Sequence, residues 1–216
     1  MVEQALMSAK NEILRNIREA LGARTGDTPI ARDYRQTLAL DPDTRASLFI
    51  DRLKDYNATV YRSTSLPATS LPQTIAEALL HRGKRSLLIP PDFPRNWLPE
   101  GFDFIPDHSL GYHDIDKSEG ALTACTAAIA LTGTIILSHS AHEGRRALTL
   151  IPDYHLCIVR AGQLVDTVPE GIRALADCRT RPLTTISGPS ATADIEMIRV
   201  KGVHGPRTLD VIVVLS

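Results

Sequence analysis

Apolar positions recur at helical spacing near the start of the chain. Ile13, Ile17 and Leu21 form one stripe with Leu14 beside it, which predicts an amphipathic helix over 2–22, closed by Gly22 and Gly26. An irregular, arginine-containing connector follows to residue 40. Asp41-Pro42 then offers a cap and a first-turn proline for a second helix, with Ala46, Phe49, Ile50 and Leu53 turned inward. Residues 58–61 read as a short strand. Ser70-Leu71-Pro72-Gln73 has capping-box spacing, and Ile75 and Leu79 continue that helix inward. Residues 86–89 form an apolar strand stopped by Pro90-Pro91. The stretch 90–112, rich in Pro, Asp and Gly, reads as a long surface excursion.

From 120 to 142 the chain carries no Asp, Glu, Lys or Arg, yet it holds Thr, Ser, His and Gly and ends in polar residues. A buried core segment fits it better than a membrane span, which needs ~20 predominantly apolar residues. Strand patterns recur at 132–137, 155–159, 183–186 and 209–215, with short helix patterns at 169–176 and 190–198. Strands alternating with helices predict an α/β domain with a largely parallel, two-sided sheet. The run Val211-Ile212-Val213-Val214-Leu215 suits a strand covered on both faces. The expected organisation is a helix-and-connector arm over 1–40 and a single α/β domain over 41–216.

Composition narrows the function classes. Twenty-four Lys+Arg against 25 Asp+Glu leave a formal charge of −1, so there is no global electrostatic footprint for nucleic acid. Aromatic residues at 5% give no stacking platform for single strands. Cys125, Cys157 and Cys178 form no CxxC, which argues against a disulfide framework, an iron–sulfur cluster or a zinc site in this chain. The histidines make neither HxH nor HExxH, so no metal site is expected. The charged, amphipathic N-terminal segment is unlike a secretory signal, and a cytoplasmic protein without a membrane span is expected.

Four clusters carry candidate chemistry. In Thr132-Gly133-Thr134 the glycine would let a ligand approach the backbone while the hydroxyls hydrogen-bond it; the competing reading is a turn entering a strand. In His142-Glu143-Gly144-Arg145-Arg146 the guanidiniums suit a carboxylate or phosphate, and Glu143 is a candidate base or nucleophile. The alternative there is a solvated loop. Gly188, Pro189, Ser190, Thr192 and Asp194 describe a turn opening a helix whose N-terminus can hold an anion, or one plainly capped, since Asp194 already answers the dipole. Finally, Gly202-Val203-His204-Gly205-Pro206-Arg207 is a stiff loop in which His204 can act as a base and Arg207 can pair an anion. Its competing reading is a loop histidine bonded to backbone.

The segments SGPSATADIE at 187–196 and GVHGPR at 202–207, with HEGRRALTLIPDYH before them, resemble the lactate-utilisation (LUD) domain family. The family often has a glutamate before Thr-Gly-Thr, where this chain has Leu131, and commonly Gln-Gly-Arg where this chain has Glu143-Gly144-Arg145. The resemblance implies an open, Rossmann-like, mostly parallel sheet with helices on both faces, similar to the phosphosugar isomerase and CoA-transferase superfamily, plus the N-terminal helical arm. It also implies a place in a three-protein system oxidising L-lactate to pyruvate, whose other members carry the iron–sulfur motifs. The leading expectation is therefore a subunit that binds a small carboxylate or an anionic cofactor where the loops converge beyond the carboxyl edge of the sheet. His204 would be the base, and Arg145, Arg146 and Arg207 would hold the carboxylate. Two other classes stay open: a stand-alone acyl-CoA or nucleotide-dependent transferase or ligase using Glu143, and a non-catalytic scaffold whose N-terminal helix docks electron-transfer partners.

Overall fold

The computed structural model describes residues 2–22, 31, 33–64, 70–178, 180–192, 200–201 and 204–215. It forms two compact units, residues 1–35 and 36–216. The first carries helix α1 (Val2–Leu21), on which Ile13, Leu14, Ile17 and Leu21 are all exposed.

The second unit begins with α2 (Pro42–Asp55), where the Asp41 side chain accepts from the Thr44 N–H at 2.9 Å and Pro42 occupies the first turn. Its buried face consists of Ala46, Phe49, Ile50 and Leu53, the four positions that the pattern predicts. Helix α3 (Leu71–His81) starts after Ser70, but the Ser70 side chain makes no capping bond; instead the Thr74 hydroxyl donates to the Ser70 carbonyl at 3.0 Å.

Six parallel strands form the main sheet: β1 (Thr59–Ser63), β2 (Ser86–Ile89), β3 (Asp103–Pro106), β4 (Ala121–Thr123), β7 (Tyr154–Arg160) and β12 (Thr208–Val214), in the order β1-β12-β7-β4-β2-β3. Both faces are covered. Along β7, Cys157 and Val159 face α2, whereas Leu156 and Ile158 face Ile75, Ala78 and Leu79 of α3. This two-sided burial explains the unbroken apolar run in β12, since each fully buried Val or Ile contributes about 1.5–3 kcal/mol. One charge is buried in β12 just before that run. Asp210, fully enclosed, accepts from Arg82 at 2.6 and 2.9 Å and from the Tyr154 hydroxyl at 3.1 Å. Burial first, and then Asp210, push the Tyr154 phenol up, which keeps it a donor.

Three predicted features change. The excursion at 90–112 contains β3, an edge strand whose Asp and Pro suit a position paired on one side only. The uncharged stretch is three strands, because after β4 the chain turns out into β5 (Ala127–Ile129) and β6 (Thr134–Leu137). With β8 (Leu164–Val165) and β9 (Thr184–Ile186) these form a second, mixed sheet in the order β8-β5-β6-β9, its antiparallel pairs departing from the parallel pattern. Ala128, Ala130, Ile135 and Leu137 share the core of α2. The β5–β6 turn holds Gly133 at φ +61°, where a Cβ would come within 2.7 Å of Arg52 Cβ, so this glycine serves the turn and the seating of α2.

The third change concerns residues 190–198. Ala191–Thr192 is a strand, β10, paired antiparallel with β11 (Val200–Lys201), so no helix opens at Ser190; residues 193–199 lie outside the described residues. The short helices α4 (Tyr112–Asp116), α5 (Arg146–Leu150) and α6 (Val168–Ala174) complete the unit.

Candidate functional site

Strands β7 and β12 begin side by side, tied by the Thr208 N–H to the Asp153 carbonyl at 3.1 Å. The chain leaving β9 crosses this edge. The Ser190 N–H donates to the Pro206 carbonyl at 2.8 Å, and the His204 N–H donates to the Ser190 hydroxyl at 3.1 Å. Gly188, at φ +102°, lies so close to α2 that a Cβ would meet Tyr56 Cβ at 2.5 Å. On the other side of this segment the Ser187 and Thr134 hydroxyls are 2.8 Å apart, and Thr134 is 2.8 Å from the Thr132 hydroxyl. Three of the four predicted clusters are thus joined by hydrogen bonds.

They border a cavity of about 280 Å³ that Gly188, Pro189, Ser190, His204 and Gly205 line, together with Leu150, Ile186, Leu209 and His155. Thr132, Gly133 and Thr134 support the Ser187 segment without lining the cavity. His155 and Leu209 are the second residues of β7 and β12, so this cavity lies at the amino edge of the sheet, the opposite edge from the one expected. Arg207 turns away from it and pairs with Asp153 at 2.5 Å, both side chains being mostly exposed. That contact, the largest influence on Asp153, holds its carboxyl below the usual range. Of the remaining predicted residues, Thr192 enters β10, while Asp194, Gly202 and Val203 lie outside the described residues.

His155 is the unexpected member. Its ring is buried, with Nε2 2.8 Å from the Thr123 hydroxyl, and its Nδ1 has no hydrogen-bond partner among the described residues. Burial pushes its pKa down to about 4, so the imidazole is neutral at physiological pH. Sequence carried no signal for it, because a histidine within an apolar strand looks like any satisfied core residue.

The fourth cluster forms a second place. Glu143 is buried and accepts from the Ser138 N–H at 2.6 Å, the Thr126 hydroxyl at 2.6 Å and the Ser140 N–H at 3.3 Å. Both oxygens are engaged, and the residue does not line the amino-edge cavity. A carboxylate so bound clamps the loop 138–146. Glu143→Ala leaves the buried Ser138 N–H unpaired and is expected to cost roughly 2 kcal/mol, read as a fall of about 4–8 °C in Tm by scanning calorimetry. Glu143→Gln, which keeps one acceptor oxygen, is expected to recover part of the loss.

Arg145 is likewise engaged, donating to both oxygens of Asp107 at 2.7 and 2.9 Å. For Asp107, burial pulls its carboxyl up, but the Arg145 fork and the Leu110 N–H outweigh it and hold the group below the usual range. This leaves Arg146. Together with Gly144, Ser140 and Arg181 it lines a second cavity of about 440 Å³, and neither Arg146 nor Arg181 forms an ion pair with any described residue. Asp92 also lines this cavity without pairing to either. His139, at φ +55°, stands between the two cavities: its Nδ1 donates to the Gly144 carbonyl at 3.2 Å, which leaves Nε2 to accept from the Thr184 hydroxyl at 2.9 Å. Thr184 lines the first cavity. Neither His139 nor Arg181 was marked by spacing or motif.

Among the described residues, no group of three His, Cys, Asp or Glu is arranged to hold a metal ion, and no helix is long and apolar enough to cross a membrane.

Comparison with known proteins gives a consistent picture. The profile of the LUD domain matches residues 112–214. Lactate utilization protein C of Deinococcus radiodurans is 45% identical over 212 residues, which cover 95% of each chain. The protein of the same name from Bacillus subtilis is 34% identical over 134 residues, covering 57% of this chain and 53% of that one. A crystal structure of a DUF162 family protein from Deinococcus radiodurans superposes with a TM-score of 0.69 at 42% identity, over 81% of this chain and 99% of that chain.

Proposed function

Because the chain belongs to the LUD domain family, we propose that it serves lactate utilisation as the ligand-binding member of a cytoplasmic system that oxidises L-lactate to pyruvate. The names of its relatives supply the substrate. The observation that carries the reading in this chain is the cavity of Arg146 and Arg181, two guanidiniums without an acidic partner among the described residues. Planar N–H forks of this kind bind carboxylates in pairs of parallel hydrogen bonds. A three-carbon acid is small enough for the 440 Å³ space.

Oxidation of lactate releases two electrons and two protons. The resemblance to lactate-utilisation systems implies iron–sulfur partner proteins as the electron acceptors, and the three cysteines of this chain form no CxxC of their own. No proton transfer is assigned to Glu143, whose oxygens are taken, or to His204, which borders the other cavity. Arg145 and Arg207, each paired with an aspartate, act as struts and leave the carboxylate to Arg146.

Calorimetric titration of the purified chain with L-lactate and with pyruvate tests this reading. Binding of at least one is expected, weakened tenfold or more in an Arg146→Ala, Arg181→Ala variant, together with loss of lactate-dependent dye reduction when that variant replaces the native chain beside its partners. Unchanged affinity and unchanged dye reduction in the variant would overturn it.

A further inference from the structure

Polar side chains around a cavity either bond one another and hold its walls, or stay open to what enters. In the arginine cavity the two sets separate cleanly. Ser138 bonds the Thr126 hydroxyl, His139 bonds the Gly144 carbonyl and the Thr184 hydroxyl, and Arg145 is forked onto Asp107, so these three hold the walls. The side chains of Asp92, Ser140, Arg146 and Arg181 make no hydrogen bond or ion pair with any described residue. Two of these four are the carboxylate seat. Asp92 is the member for which a bare carboxylate has no use, since like charge weakens the seat unless the ligand brings a donor.

The backbone that carries Asp92 is firmly held. Pro90 and Pro91 end β2, the Phe93 N–H returns to the Pro90 carbonyl at 3.1 Å, and the Phe93 side chain is buried. The loop 138–146 is seated on the same turn. A Cβ on Gly144 would lie 3.3 Å from Pro90 Cγ, and the Ala124 N–H just beyond β4 donates to the His142 carbonyl at 3.0 Å. The cavity therefore lies outside the carboxyl ends of the neighbouring strands β2 and β4. From β2 the chain winds outward to β3, and from β4 it winds the other way to β7, so the crevice sits where the winding reverses, the usual ligand position in open α/β sheets. An acid held here on Arg146 and Arg181 shares the cavity with a second carboxylate that can only accept hydrogen bonds. A 2-hydroxy acid carries the matching donor. A 2-oxo acid offers only further lone pairs, and an unsubstituted acid leaves Asp92 without a partner.

We propose that Asp92 is the specificity-determining residue of the carboxylate seat: it accepts a hydrogen bond from the C2 hydroxyl of the ligand and so selects 2-hydroxy acids over their 2-oxo and unsubstituted counterparts. This role rests on the reading of Arg146 and Arg181 as that seat.

Calorimetric titration of the full chain with L-lactate, pyruvate and propanoate, which share one negative charge and differ at C2, tests it. L-Lactate is expected to bind about tenfold more tightly than either of the others, because a site built around a ligand hydroxyl rejects the analogue that lacks it. Asp92→Ala breaks no side-chain bond among the described residues, and in it the three affinities are expected to come within about twofold of one another. Asp92→Asn, whose amide can donate to an oxo group, is expected to strengthen pyruvate binding and to shrink the preference for lactate. Loss of the negative charge alone would raise all three affinities together, so their ratios report the hydrogen bond. Equal binding of lactate and propanoate to the native chain, or a preference that survives in Asp92→Ala, overturns the proposal and leaves the carboxylate seat standing. If none of the three acids binds the native chain, the seat and the proposal fall together.

Discussion

Arg82→Ala is expected to destabilise the fold by about 3–5 kcal/mol, because it strips the counter-ion from a carboxylate that cannot reach water. Asp210 is fully buried in β12, between β1 and β7, and Arg82 supplies two of its three hydrogen bonds while donating a further one to the Thr59 hydroxyl at 2.7 Å. Without the guanidinium, Asp210 keeps the Tyr154 hydroxyl alone. The Arg82 side chain is 29% exposed, so the loss of its buried stem adds to the cost of the stranded charge. In a chain of this size the loss corresponds to a fall in Tm of roughly 10 °C. Arg82→Lys, with a point charge in place of the fork, is expected to fall between the two. A melting point for Arg82→Ala within about 2 °C of the wild type would mean that water screens the pair.

The second large effect is a dependence on pH. His155 has a folded-state pKa of about 4, against about 6.5 for an unconstrained imidazole. Between those values the unfolded chain takes up a proton that the folded chain refuses, so stability falls as pH falls through this window and the contribution levels off below pH 4. The slope for one proton is about 1.4 kcal/mol per pH unit, and the window spans roughly 3 kcal/mol. Denaturant unfolding of wild type and His155→Leu at several pH values between 7 and 5 isolates this term, because carboxylates titrate mostly below that range. The variant is expected to show a curve shallower by one proton. Parallel curves would mean that water reaches the ring.

These effects involve residues that differ in how readily sequence reveals them. The faces of α2 and the position of β2 follow from local rules: Asp41-Pro42 starts the one, Pro90-Pro91 stops the other, and burial on a single face leaves a readable period. The stretch 120–137 has no period because β4, β5 and β6 are buried at every position but Thr134, and alanine and threonine do not mark where one strand ends and the next begins. Strand β3 was hidden by the composition of an edge. Among site residues, the loops at 187–190 and 204–206 were legible because glycine and proline announce a chain under geometric constraint, and the structure brings them together. The roles of Arg145 and Arg207 were not legible, since their partners Asp107 and Asp153 lie 38 and 54 residues away. Glu143 looked reactive although its partners Ser138, Ser140 and Thr126 lie only 5, 3 and 17 residues away, because the fold of that loop is not marked by its sequence. A carboxylate beside two arginines invites a chemical reading until the amides that surround it are known.

The position of β12 also orders the birth of the molecule. It is synthesised after every other strand of the main sheet, yet it occupies an inner position, pairing Thr59 with Asp210 on one flank and Tyr154 with Thr208 on the other. A sheet assembled without β12 would leave β1 and β7 each with an unpaired backbone edge and Cys157, Ile158 and Val159 with less cover. Such edges recruit neighbouring chains as readily as they recruit β12. Pairing β12 with β1 closes a loop of about 150 residues, a long-range contact of the kind that slows folding.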